Sequence, residues 1–298
     1  MFKNLLVGVD GRQGGRDAVA LAKQLSDAQS TVTLAHVHNR KIRPSHAVTP
    51  GIVDEDREAS SKLLEDERAA AEIDAHLVSV EAMSPGAGLH MQAELLGADL
   101  LVVGSCSRGI FARVMLGDDT RAALNGAPCA VAVAALGHSE EARPLTTIGV
   151  GYNGTPESEA ALHTARELAR ATNARISALE VVTLPPFASG WGGTSIGESL
   201  NLMLDEAEQR LGELPDVDGH AEIGLTGEEL SRFGKELDLL VIGSRGYGPL
   251  KRLVLGTTAQ SLQRHAQCSL LVLPRAASEE PGKGSAHLAG AVEPVAAK

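Results

Sequence analysis

Aromatic residues are nearly absent from this sequence: Phe, Tyr and Trp together make up 2% of its 298 residues. A core without rings must be packed from Ala, Val, Leu and Ile, which suits helices laid closely on a buried parallel sheet. Cysteine is scarce as well. Cys106, Cys129 and Cys268 are widely separated and form no Cys-x-x-Cys pair. Their odd number argues against a disulfide framework and points to a reducing cytoplasm. Long apolar runs are missing, since none reaches the roughly 18 residues that cross a bilayer. No leader pattern precedes the first apolar stretch, so a soluble, cytoplasmic protein is expected. Basic charge is in deficit, with a formal net charge of -11. That balance opposes the counterion-releasing contacts on which nucleic-acid binding rests, and it disfavours anionic membrane surfaces. Neither nucleic acid nor membrane is therefore an expected partner. A single nucleotide is a different case, because a few aimed amides can hold it against the overall field.

What the sequence does contain is a unit written twice. The length suggests about two domains, and self-similarity supports that division. Leu100-Leu101-Val102-Val103-Gly104-Ser105 recurs as Leu239-Leu240-Val241-Ile242-Gly243-Ser244. Arg113-Val114-Met115-Leu116-Gly117 recurs as Arg252-Leu253-Val254-Leu255-Gly256 at the same distance from the first glycine, and Cys129 and Cys268 keep that register. A looser pair is Leu6-Val7-Gly8-Val9-Asp10-Gly11 and Ile148-Gly149-Val150-Gly151-Tyr152-Asn153-Gly154. The expected division is residues 1–137 and 144–275, with residues 276–298, rich in Ala, Gly, Pro and Glu, as a disordered tail.

Within each half, strand patterns alternate with helix patterns. The first half predicts strands over Asn4–Asp10, Thr31–His38, His76–Ala82, Leu100–Val103 and Ala130–Ala134. Between them lie helical stretches near Ala18–Leu25, Asp54–Ala71, Ala87–Leu96 and Asp119–Leu124. In the second half Thr155 can cap and Pro156 can open the first helix. Leu200, Met203, Leu204, Ala207 and Leu211 share one helical face, and Ser269–Leu273 is the final strand. Such alternation, with near-continuous apolar strands, predicts an α/β fold of two tandem Rossmann-like domains on parallel sheets. The apolar final strands would lie at sheet edges, where exposed backbone invites pairing. A homodimer or an intramolecular domain pair is expected there.

In such sheets ligands bind beyond the carboxyl ends of the strands, where strand order reverses. Both repeated glycines fall at strand ends. In the second half Gly243-Ser244-Arg245-Gly246 is followed, nine residues on, by Gly256-Thr257-Thr258. Glycines admit phosphate oxygens close to the backbone, and a helix start favours an anion.

This Gly-x-x-Gly, nine residues, Gly-Ser/Thr arrangement resembles the ATP-binding signature of the universal stress protein family. The Asp-Gly ending of the first strand and the Gly-Ser after the fourth are similar to that family too. The resemblance implies an adenine nucleotide alpha hydrolase-like fold with five parallel strands per domain, ATP as ligand, and regulation of a stress response. Carried over by position, Asp10 would meet the nucleoside, and Val37 and Val181 would pack against adenine. Gly243, Arg245, Gly246, Gly256, Thr257 and Thr258 would surround phosphate, with Mg²⁺ as a counterion. Gly104, Ser105 and Gly117 are the first-half counterparts.

Each half departs from the pattern. In the first, Ser107 replaces the second glycine, and Asp118 stands where a Ser or Thr would meet phosphate. A carboxylate facing a triphosphate costs on the order of 1 kcal/mol or more at close range unless a cation intervenes. In the second, Asn153 replaces the nucleoside aspartate. On this count the second half is the better expected ATP site, and the first is expected to be weak or selective for a shorter phosphate chain.

Two other motifs point elsewhere. Gly149-Val150-Gly151-Tyr152-Asn153-Gly154, with Glu180 downstream, spells a dinucleotide fingerprint, but the repeat sets its first glycines inside the strand. Gly193-Thr194-Ser195-Ile196-Gly197 spells a hydrolase elbow, but the preceding Ser189–Gly192 reads as loop, so a lid-like loop is expected. His36 and His38 share a strand face without a third metal ligand in evidence. Cys106, beside the first-half loop, is either redox sensitive or simply buried. No residue is placed as a base to activate water, so a binding module rather than an enzyme is expected. The alternatives are a slow nucleotidase, an NAD-dependent enzyme on the same fold, or a ligand-free partner-binding module.

Overall fold

The structure, a computed structural model, describes residues 1–39, 50–105, 118–140, 144–183, 193–244, 253, 258, 262 and 268–274. The expected tail, the loop residues 189–192, and Cys106 and Ser107 lie outside the described residues. The first half runs β1 (Asn4–Gly8), α1 (Gln13–Leu25), β2 (Thr31–Asn39), α2 (Pro50–Ala71), β3 (His76–Ala82), α3 (Pro85–Leu96), β4 (Leu100–Gly104), α4 (Asp118–Leu124) and β5 (Ala130–Ala134). The second runs β6 (Thr147–Gly151), α5 (Pro156–Thr172), β7 (Arg175–Val182), α6 (Gly193–Gly212), β8 (Asp218–Ile223), α7 (Thr226–Phe233), β9 (Leu239–Gly243) and β10 (Ser269–Leu273).

Local chemistry explains several of these boundaries. Thr155 caps α5 by accepting from the Ser158 amide at 3.4 Å, and Pro156 opens the helix. Ser84 and Pro85 do the same for α3, which ends on left-handed Gly97. That helix starts two residues before the expected Ala87, because the Ser-Pro pair is itself a start signal. Helix α2 likewise begins at Pro50 rather than Asp54.

The strands form one sheet in the order β3-β2-β1-β4-β5-β10-β9-β6-β7-β8. Pairing inside each half is parallel, and β5 meets β10 antiparallel, with Leu271 opposite Ala132. The two final strands therefore cover each other's edges, and all their residues are buried. One core lies under α1, α2 and α5, where Val7, Leu21, Val102, Ile148, Leu162 and Leu271 meet. The other lies across the sheet, with Leu6, Leu101, Val131, Leu240, Leu262 and Leu270. Among the described residues, no helix is long and apolar enough to cross a membrane.

The stretch after β5 ties the halves together. Asp17 of α1, fully buried, accepts from the Gly137 amide at 2.8 Å, the Ser139 amide at 2.9 Å and the Ser139 hydroxyl at 2.7 Å. His138 bridges Gln24 of α1 and Ser269 of β10 at 3.0 and 3.4 Å.

The duplication is also written in hydrogen bonds. Asp99 receives the amides of Lys3 and Asn4 at the start of β1, and Asp238 receives those of Thr146 and Thr147 at the start of β6. Burial works to raise the Asp238 pKa, but the amide and hydroxyl donors of Thr146 and Thr147 outweigh it and hold the carboxyl below its ordinary value. A carboxyl with a depressed native pKa adds stability above its unfolded value of about 3.9, and loses it as pH falls through the native value. The resistance of the wild type to urea is therefore expected to fall below about pH 4. Asp238→Asn should flatten that limb, and an unchanged acid slope would remove Asp238 as its source.

Candidate functional site

Strand order in the first half reverses between β1 and β4, and a cleft of about 160 Å³ opens at their carboxyl ends. Its floor is apolar. Gly8 of β1, Ala35 and Val37 of β2, Leu89 of α3, Val103 of β4 and Ala123 of α4 line it. Period-two alternation puts these β-residues on one sheet face, while Val7, Val9 and Leu34 face the other core.

Polar groups gather at the rim. Asp10 follows β1 and is half-exposed; one oxygen accepts from the Arg12 amide at 3.1 Å and the other lies 3.9 Å from the Arg12 guanidinium. So exposed an ion pair contributes little to stability. It does leave the Asp10 carboxylate able to accept from a ligand hydroxyl. Gly14 and Gly15 bring the start of α1 to the cleft, and that helix has neither a side-chain cap at Arg12 nor an acid in its first turn. Its first amides are therefore suited to an anion.

Ser105 is the sharpest feature. It is 4% exposed and lines the cleft, yet its hydroxyl has no hydrogen-bond partner among the described residues. Leaving such a group unsatisfied costs about 1–3 kcal/mol. Its amide is engaged with Ala134 O at 3.2 Å, and the neighbouring Thr120 hydroxyl donates to Gly104 O at 3.0 Å.

Of the residues singled out from sequence, Asp10, Val37, Gly104 and Ser105 come together in this one cleft. Gly117, Arg245, Gly246, Gly256 and Thr257 lie outside the described residues; Thr258 is helical and half-buried. Asp118 opens α4. Asn153, Val181 and Gly243 occupy second-half positions matching Asp10, Val37 and Gly104: Gly8 pairs with Ala35 as Gly151 pairs with Leu179. Gly104 has a packing role that the motif does not convey. A Cβ there would lie 1.9 Å from the Gly14 carbonyl oxygen, and one on Gly243 would lie 2.6 Å from that of Glu157. These glycines let the first helix of each half approach the fourth strand. Gly8, Ala35, Leu89, Val103 and Ala123 escaped the sequence reading; strand alternation was the available signal for Gly8 and Ala35 alone.

The competing motifs meet physical obstacles. Gly149 and Gly151 lie within β6, and a Cβ on Gly149 would lie 2.1 Å from Leu237 and 2.8 Å from Phe233. Glu180, the acid a dinucleotide ribose would need, is held by Arg210 of α6 at 2.5 and 2.7 Å. Residues 193–197 form the first turn of α6 rather than a lid-like loop. His36 bonds Ser60 of α2 at 2.9 Å, and burial, then His38, lowers its pKa. No group of three His, Cys, Asp or Glu among the described residues is placed to hold a metal. Burial pushes the Cys129 and Cys268 thiols up to about 12, which keeps both protonated and unreactive at neutral pH.

Comparison with known proteins matches residues 1–135 and 144–274 to the universal stress protein family. A universal stress protein of Mycobacterium tuberculosis is 29% identical over 286 residues, spanning 92% of this chain and 97% of the relative. One from Methanocaldococcus jannaschii is 30% identical over 132 residues, covering 41% of this chain and 76% of that protein. Among solved structures, a universal stress protein from Archaeoglobus fulgidus superposes with a TM-score of 0.66 at 18% identity, covering 92% of this chain and 98% of that one. With both halves matched and nearly the full length aligned, this chain belongs to the universal stress protein family as a tandem two-domain member.

Proposed function

We propose that the chain is a regulatory adenine-nucleotide-binding protein of the stress response, with ATP as the ligand and Mg²⁺ as its counterion. The observation that carries this reading is Ser105: a residue lining the cleft at the strand-order reversal, whose buried hydroxyl has no hydrogen-bond partner among the described residues. Three other features agree with it. The apolar floor over Gly8 suits a purine face, the Asp10 carboxylate suits ribose hydroxyl donors, and the uncapped start of α1 suits a phosphate. His36 lines the cleft, but its partner, the Ser60 hydroxyl, is buried outside the lining, and the reading is binding and release rather than turnover. ATP occupancy would then change the surface offered to a partner.

The test is calorimetric titration of ATP with Mg²⁺ into wild-type, Asp10→Ala and Ser105→Ala chains. Each substitution removes one hydrogen bond to the ligand, or about 1–1.5 kcal/mol, and should weaken binding roughly tenfold. Both variants should keep the wild-type circular dichroism spectrum. Unchanged affinity in both would remove the cleft as the site.

A further inference from the structure

We infer that β8, at the second-half edge of the sheet, is a docking strand for an extended basic segment of a partner protein, which adds to it as an eleventh strand. The inference stands apart from the nucleotide reading above.

The sheet has two edges, β3 and β8, and they are finished differently. Helices α2 and α3 both pack on β3, and only His76 and Glu81 of its seven residues are exposed. At the other edge α6 covers one face of β8, but α7 packs on β7 and has eight residues where α3 has twelve. Five of the six β8 residues are exposed. Edge strands left open in this way are templates for pairing with another chain.

The register tells which groups are offered. The Gly224 amide donates to Val182 O at 3.1 Å, continuing the β7–β8 pairing. Backbone direction alternates along a strand, so Asp218, His220 and Glu222 turn their N–H and C=O groups toward β7. Gly219, Ala221 and Ile223 turn theirs outward, where nothing among the described residues pairs with them. Side chains alternate as well. A Cβ on Gly219 would lie 2.8 Å from Leu211, which sets these three residues on the α6 face. Asp218, His220 and Glu222 stand on the opposite face, along a cleft of about 400 Å³ beside α7.

Charge names the partner. Asp218, Glu222 and Glu236 line the cleft against the guanidinium of Arg175, and none of these four has an ion pair among the described residues. Glu229 and Arg232 satisfy each other at 2.5 Å. The surplus is acidic, and alternate side chains of an added strand would fall beside Asp218 and Glu222. Opposite charges at such cross-strand positions attract, and like charges repel. A second copy is thereby disfavoured. Two-fold pairing centred on His220 would set Asp218 opposite Glu222, and pairing centred on Glu222 would set it opposite itself. A strand with Lys or Arg at every second position fits, its backbone meeting Gly219, Ala221 and Ile223.

The probe is a short fluorescent peptide alternating Lys and Thr, titrated with the full chain at about 0.15 M salt and followed by anisotropy. Saturable binding is expected. Because the chain's charge of -11 draws any cation, a peptide alternating Lys and Pro serves as the control. It has the same charge but lacks every second amide donor, and it should bind at least about tenfold more weakly. Asp218→Lys with Glu222→Lys changes two exposed side chains. The pair should weaken the Lys-Thr peptide by about tenfold or more and admit a Glu-Thr peptide. Ala221→Pro removes an outward N–H that an edge strand can spare, and should weaken the Lys-Thr peptide with an unchanged circular dichroism spectrum. The peptide control and the charge reversal stand even where that variant fails to fold. No saturable binding, equal affinity for the Lys-Pro peptide, or full affinity after charge reversal would overturn the inference. So would a wild-type chain that sediments as a dimer and becomes monomeric on charge reversal, which would give the edge to a second copy.

Discussion

Leu271→Asp is expected to abolish cooperative folding of the whole chain. Leu271 is fully buried in β10, opposite Ala132 of β5 and beside Val241 of β9, where the two halves share one core. A carboxylate there would sit in a fully buried apolar cluster. Burying an unpaired charge belongs to the few mechanisms that cost more than about 4–5 kcal/mol from one substitution. Whole domains hold only about 5–15 kcal/mol. Circular dichroism with urea should show either no native baseline or a midpoint close to zero denaturant. Leu271→Ala, which leaves a cavity without a charge, should cost about 2–5 kcal/mol. If Leu271→Asp lost less than about 1 kcal/mol, β10 would not be an interior strand and the continuous sheet would be wrong.

The second large effect concerns Gly104. Its missing Cβ is required by backbone, not by a flexible side chain: the added carbon would lie 1.9 Å from the Gly14 carbonyl oxygen and 2.3 Å from the carbonyl carbon. Backbone cannot rotate away, so Gly104→Ala must push α1 off β4. The overpacking penalty is about 3 kcal/mol. The same shift would carry Gly14 and Gly15 away from the cleft, so nucleotide affinity should fall along with the urea midpoint. Gly97→Ala, a change at a left-handed helix end far from the cleft, should reduce stability without altering affinity. A Gly104→Ala chain with wild-type stability and lost affinity would mean that the glycine serves the ligand alone.

The contrast between these two sites explains what a reader of the sequence can and cannot extract. The duplication was legible because Leu100–Ser105 and Leu239–Ser244 keep both composition and spacing. The start of α5 was legible because Thr155-Pro156 is a local signal with a local cause. The Ser84-Pro85 start of α3 carried the same signal and was passed over. Residues 193–197 defeated the reading because glycines at both ends suggest a loop, while the amphipathic face from Leu200 to Leu211 extends the helix back over them.

The site divided along a different line. Asp10 and Ser105 stood out because a strand-end acid and a Gly-Ser pair are local patterns. The floor did not, because a slot is made by residues far apart in the chain. Ala35 and Ala123 carry no chemistry that would draw notice, and their meaning emerges only when β2 and α4 are brought together over Gly8. Gly104 has a second role that the motif does not convey: its smallness admits Gly14, a partner that only the packed helix supplies.

The most direct test is a crystal structure of the full chain grown with ATP and Mg²⁺. Density for the base should cover Gly8 between Val37 and Ala123, with the ribose at Asp10 and a phosphate oxygen accepting from the Ser105 hydroxyl. A nucleotide seated only beside Gly151 and Asn153, with the first-half cleft holding none, would contradict the account.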